Sequence, residues 1–168
     1  MAMMEIYRTI DKQLTRVEDM DEGCWICLTA PTEAEVRRVA ATLDIEPNDL
    51  FAATDPEESA RISLEDGYTV IIVDIPYQVP GSGEGIYSTI PMGILLTQDL
   101  VVTVCSVDTP VIGDFSSCRV RGFSTRKKMR FVYQLLYRAA TMYQQELRLI
   151  DRRRQAVSYT HLTLPTNR

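Results

Sequence analysis

The apolar residues in the last third of the chain fall at Phe131, Val132, Leu135, Leu136, Ala139, Met142, Tyr143, Leu147 and Ile150. These are the i, i+3, i+4, i+7 steps of one helix face. Gln134, Arg138, Gln144, Gln145, Glu146, Arg148 and Asp151 lie between them and suit a wet or partner-facing side. No Gly or Pro interrupts the chain between Ser124 and Pro165. The pattern predicts one helix over 124–156, capped by Ser124. At about 1.5 Å per residue it would be roughly 50 Å long, more than a compact domain of this size can cover. It ends in Asp151-Arg152-Arg153-Arg154.

Upstream the pattern changes period. Residues 3–10 and 14–18 read as two short strands around a turn at Asp11-Lys12, and 24–28 as a third, buried strand. Thr32 with Glu35 three residues on is a capping box, followed by the inward stripe Val36, Val39, Ala40 and Leu43. Pro47 suits the first turn of a short helix through Leu50 and Phe51. Residues 55–58 are a further helix start or an acidic turn. Strands follow at 61–65 and 68–76 around Asp66-Gly67, then at 86–96 and 100–105 around Gln98-Asp99. Pro110 begins a short helix towards Phe115, with Asp108 or Thr109 as its cap. This order predicts an α/β fold: a mixed, largely antiparallel sheet covered by helices in α/β/α layers, with a long C-terminal helix. There is no internal repeat.

A chain of 168 residues holds one or at most two domains. Its 45% hydrophobic and 24% charged residues are ordinary for a folded soluble protein. No run approaches the 18 or more apolar residues of a membrane span, and the first residues lack a signal-peptide pattern. The chain as given therefore reads as soluble and cytoplasmic. Charge is uneven: residues 1–66 hold 16 Asp/Glu against 6 Lys/Arg, whereas 67–168 hold 7 against 12. The acidic half argues against a nucleic-acid-binding surface there and would tolerate cations.

Candidate chemistry is sparse. Cys24 and Cys27 have a redox or zinc spacing, but on a strand residues three apart face opposite ways. Cys105 and Cys118 are too far apart to make a second zinc knuckle, and the one histidine, His161, lies near the end of the chain. All four cysteines are expected to be buried and structural. Asp19, Asp21 and Glu22 before Gly23 lack the spacing of a calcium loop. Gly81, Gly83 and Gly85 precede a strand rather than a helix, so they predict a hairpin loop and not a phosphate cradle. Asp74, Asp99, Asp108 and Asp114 show no common face. No nucleophile, base and orienting group can be assembled, so the chain is not expected to be an enzyme and no catalytic or cofactor-binding residue is assigned. Arg126, Lys127, Lys128 and Arg130 sit at the start of the long helix against its dipole, which suggests a partner or an acidic neighbour.

Three stretches taken in order carry a resemblance. Cys24-Trp25-Ile26-Cys27-Leu28-Thr29-Ala30-Pro31-Thr32 resembles the strand-then-helix opening of the CorA family of divalent-metal transporters. Asp55 to Glu58, Arg61-Ile62 and Asp66 to Pro76 are similar to that family's acidic segment and the hairpin after it. Thr89-Ile90-Pro91-Met92-Gly93-Ile94 through Thr103-Val104-Cys105 is similar to the next hairpin, and the long helix to the start of the family's stalk.

The resemblance implies a homopentamer with a cytoplasmic α/β domain, a stalk and two transmembrane helices near the C-terminus. It also implies Mg²⁺, or Co²⁺ or Ni²⁺, as transported and regulatory ion, and the cell membrane as the location of the full-length protein. This chain has neither the family's Gly-Met-Asn pore motif nor a transmembrane helix. The regulatory carboxylate would fall at 78–80, where no acid stands; Glu84 is nearest. The metal ligands therefore stay unknown. The resulting division is an α/β domain over 1–122, the start of a stalk helix over 123–157 and a non-native read-through tail over 158–168. The expected function is a sensing and gating domain lacking its pore. The alternative is a stand-alone binding or adaptor domain that docks a partner through its long helix.

Overall fold

The computed structural model describes the backbone of residues 3–79 and 87–162, with side chains through 155. Two strands, β1 (Met3–Ile10) and β2 (Gln13–Val17), form a hairpin closed by Asp11 and Lys12, both in the left-handed region at φ 49° and 66°. That double positive φ is the twist-matched geometry of a two-residue hairpin turn. The third strand, β3 (Cys24–Thr29), is buried at every position. The capping box of α1 (Glu33–Leu43) forms as predicted: Thr32 Oγ1 accepts from the Glu35 amide, and the Glu35 carboxylate accepts from the Thr32 amide at 2.7 Å. Pro47 opens α2 (Pro47–Ala52), and residues 55–58 form a turn, not a helix.

Two further hairpins follow. Strand β4 (Arg61–Leu64) pairs with β5 (Tyr68–Gln78), and β6 (Tyr87–Thr97) with β7 (Val101–Cys105). Helix α3 (Pro110–Ser116) is capped by Thr109, whose hydroxyl accepts from the Val111 amide. Helix α4 runs Lys128–Leu162.

The seven strands form one sheet in the order β2-β1-β3-β7-β6-β5-β4. Only the β3–β7 pair is parallel; the other five are antiparallel. Strand alternation sorts the core into two layers. Ile26, Leu28, Val70, Ile72, Val102 and Val104 face α1 and α2. Trp25, Cys27, Ile75, Met92, Ile94 and Val101 face α3 and α4. This is the α/β/α arrangement the sequence predicts.

Two expectations need correction. Helix α4 begins at Lys128 rather than at Ser124, because Thr125 is hydrogen-bonded to Thr9 and the Lys127 amide closes a turn onto the Ser124 carbonyl. Cys118 is exposed, in the left-handed region at φ 58°, so only three of the four cysteines are buried. The apolar stripe of α4 is buried only in part, as a helix longer than its domain requires. Phe131, Val132, Leu135 and Ala139 are core residues, whereas Leu147 and Ile150 are exposed. The predicted glycine loop (Gly81, Gly83, Gly85) and Glu84 lie outside the described residues, as does residue 163 onward.

Candidate functional site

The site with most sequence-encoded order is the joint between α4 and the sheet. Trp25 lies at its centre. Its indole Nε1 donates to Thr103 Oγ1 at 2.8 Å, which satisfies the one polar atom of a fully buried ring. Around it Tyr7 stacks at 5.0 Å, while Phe131 and Phe123 meet it edge-on at 5.1 and 5.9 Å. Phe115 closes the cluster against Phe123 and Phe131, both at 5.1 Å. One aromatic group thus joins β1, β3, α3, the 118–127 connection and the first turn of α4.

Polar contacts hold the same joint at its rim. Lys128 at the head of α4 donates its ammonium to the main-chain carbonyls of Thr97 and Gln98 in the β6–β7 turn. Those carbonyls, not a carboxylate, are the neighbour that a cation at this helix start requires. Arg138 Nε donates to Asp114 Oδ2 at 2.6 Å, tying α4 to α3, and Arg119 meets the other oxygen at 3.3 Å. Beyond Tyr143 the helix is more exposed: Leu147 is 60% exposed and, with Ile150, lines an open groove against Pro76, Tyr87 and Thr89 of β5 and β6. A second apolar row, Met129, Tyr133 and Tyr137, runs along the anchored half and faces away from the sheet at 64%, 76% and 75% exposure. Their i, i+4, i+8 spacing was legible in the sequence.

The candidate acids do not converge. Asp74 is half-buried on β5, where burial first and this carboxylate second push the Tyr143 hydroxyl up. Asp99 sits in the β6–β7 turn, its carbonyl accepting from the Gly23 amide at 2.8 Å. Asp108 is exposed before α3, and Asp114 is matched by two arginines. In the acidic loop, Asp21 pairs with Arg8 at 3.7 Å. Among the described residues no group of three or more His, Cys, Asp or Glu side chains could hold a metal ion.

Cys24 and Cys27 lie in different core layers, so they cannot meet. Burial pushes the Cys27 thiol up to about 11 and raises Cys24 and Cys105 as well, which makes all three poor nucleophiles. Burial, then the hydrogen bond to Asp49, pushes the Tyr68 hydroxyl up to about 12. Among the described residues no helix is long and apolar enough to cross a membrane.

Comparison with known proteins places this architecture. The complete CorA magnesium transporter of Methanocaldococcus jannaschii superposes with a TM-score of 0.78 at 16% identity, over 98% of this chain and 52% of that one. The soluble domain of the same organism's CorA gives 0.78 at 17% identity, over 95% and 64%. The ZntB cytoplasmic domain of Vibrio parahaemolyticus gives 0.70 at 11% identity, over 90% and 64%. The chain thus spans about half of the complete transporter's length. These likenesses show a shared fold. No curated protein sequence matches the chain. A protein-family model described as CorA-like Mg²⁺ transporter protein matches residues 20–167, and the chain accordingly belongs to the CorA-like Mg²⁺ transporter family.

Proposed function

We propose that this chain is the sensing and gating domain of a CorA-like divalent-cation transporter, with Mg²⁺ as the ion sensed and carried. In this reading it works as a homo-oligomer on the cytoplasmic side of the membrane, and is not an enzyme. The conducting helices belong to the length of the family fold that this chain does not span. The observation that carries the proposal is the division of α4 into two parts. Residues 131–139 are locked into the core, and the helix then continues unbroken to Leu162, with Leu147 and Ile150 already exposed. A continuous helix with one end rooted in a folded sheet transmits a rigid-body displacement of that sheet to whatever the other end joins. Cation binding between acidic faces of neighbouring domains would supply the displacement, since residues 1–66 carry a net charge of −10.

The test is a chimera joining this chain to the stalk and pore of the Methanocaldococcus CorA, reconstituted in vesicles. Uptake should fall as internal Mg²⁺ rises. If Mg²⁺ altered neither uptake nor the thermal stability of the domain, the sensing role would be lost.

The exposed row Met129, Tyr133 and Tyr137 favours a second reading, an adaptor domain that docks a partner helix along α4. Genomic sequence beyond codon 157 separates the two. A long helix followed by two apolar spans supports the transporter, and a stop codon supports the adaptor.

A further inference from the structure

The hairpin turn of β1 and β2 and the chain leading into α4 meet around an open cleft of about 830 Å³. Lys12, Arg121, Arg126, Lys127 and Arg130 line it, with Asp11 as the one acid. In a chain of net charge −5 this local excess is exceptional. It is also uncompensated. Arg8, Arg16, Arg37, Arg61, Arg119 and Arg138 each meet a carboxylate within 4 Å, whereas among the described residues none of the five cleft cations does.

The arrangement is built by the backbone. Two left-handed residues, Asp11 and Lys12, present the turn to one side of the cleft. On the other side Gly122, at φ 69°, lets the Arg130 guanidinium lie against the main chain; a Cβ there would stand 2.7 Å from its Nη2. Five cations gathered around a single acid repel one another, so the cluster gains when an anion enters it. Ile10, Leu14 and Phe123 add apolar wall, which shapes the cleft for a molecule rather than for a single small ion.

From this geometry we infer that the cleft is a binding site for a phosphate-rich small-molecule anion. Arginine forks and lysine ammonium groups are the donors such ligands take. An anionic bilayer offers the same headgroup chemistry. The donors here surround a cleft with an apolar wall rather than lying on a flat face, which favours a soluble ligand that enters alone.

The test is calorimetric titration of the full chain with inorganic tripolyphosphate in low-salt buffer containing EDTA. The expected result is saturable 1:1 binding that weakens at least tenfold in the Arg121→Gln/Lys127→Gln double variant. An Arg38→Gln/Arg148→Gln control, which removes the same charge elsewhere, should bind as the parent does. The double variant should also melt no lower than the parent, because only repulsion is removed. Unaltered affinity in the double variant, or no binding by the parent, overturns the assignment. So does co-sedimentation with phosphatidylglycerol vesicles in the absence of tripolyphosphate binding.

Discussion

The amide of Thr9 donates to the Thr125 hydroxyl at 2.9 Å, and the amide of Thr125 donates to the Thr9 hydroxyl at 3.0 Å. Two residues 116 apart in sequence thus satisfy each other's main chain. The exchange ties the segment ahead of α4 to the end of β1. Replacing either threonine with valine leaves the opposite amide without its acceptor. Each change should cost about 1–3 kcal/mol. The double variant should cost less than the two single changes together, because the contact between the two hydroxyls at 3.3 Å is lost in either single change and only once in the double. Urea unfolding of the four proteins measures the coupling, and strict additivity would show that the two residues act independently.

Gly93 on β6 lies beneath α2 with no room to spare. A Cβ added there would stand 2.6 Å from the Ala53 Cβ and 3.8 Å from that of Val104. Neither neighbour has a flexible end to move aside, so α2 itself must shift. Gly93→Ala should destabilise the domain by roughly 1–3 kcal/mol through overpacking. Pairing it with Ala53→Gly should recover part of that loss. A melting temperature unchanged by Gly93→Ala would show that the contact is loose.

The two halves of α4 should respond differently to truncation. Leu135 is fully buried, and Leu135→Ala should cost about 2–5 kcal/mol. Leu147 is mostly exposed, and Leu147→Ala should change stability by less than about 0.5 kcal/mol. Chemical denaturation of the isolated chain decides this, and equal losses would place the departure of the helix from the sheet further along.

Thiol chemistry gives a pH prediction with a definite sign. Cys27 holds its proton up to about 11 in the folded chain, whereas an unfolded cysteine releases it near 8.5–9. Between those values the native state binds more protons than the unfolded state, so stability falls as pH rises. Its full contribution is present below about pH 8.5 and is lost by about pH 11, on the order of 3 kcal/mol. Cys24 and Cys105 act in the same direction. Cys27→Ala should flatten this slope. In native protein at neutral pH a thiol reagent should modify one cysteine per chain, Cys118, and reach the other three only on unfolding.

The fold was legible where local signals agreed. The capping box at Thr32, the prolines at 47 and 110, and the alternation through residues 68–105 each marked an element that forms. The start of α4 was not legible, because the partner that delays it, Thr9, lies at the other end of the chain. Nor was the exposure of Cys118, which follows from a left-handed turn after α3 rather than from its own side chain. The basic residues at 126–130 were visible as a run. Their different fates depend on tertiary contacts: Lys128 is bound to the β6–β7 turn, while Lys127 and Arg130 open onto the cleft. The long helix was read correctly as overshooting its domain. The point where it leaves the sheet required the sheet to be in place.

If α4 carries a cation signal as one rigid element, as proposed above, breaking the helix should uncouple the sheet from the pore. In the chimera with the Methanocaldococcus pore, Gln145→Pro lies where the helix is exposed and removes one helical hydrogen bond at a cost of about 3 kcal/mol to helix continuity. Fluorimetric uptake should then continue at high internal Mg²⁺, with inhibition abolished and the sheet domain still folded. Inhibition by internal Mg²⁺ equal to that of the unbroken chimera would contradict the account.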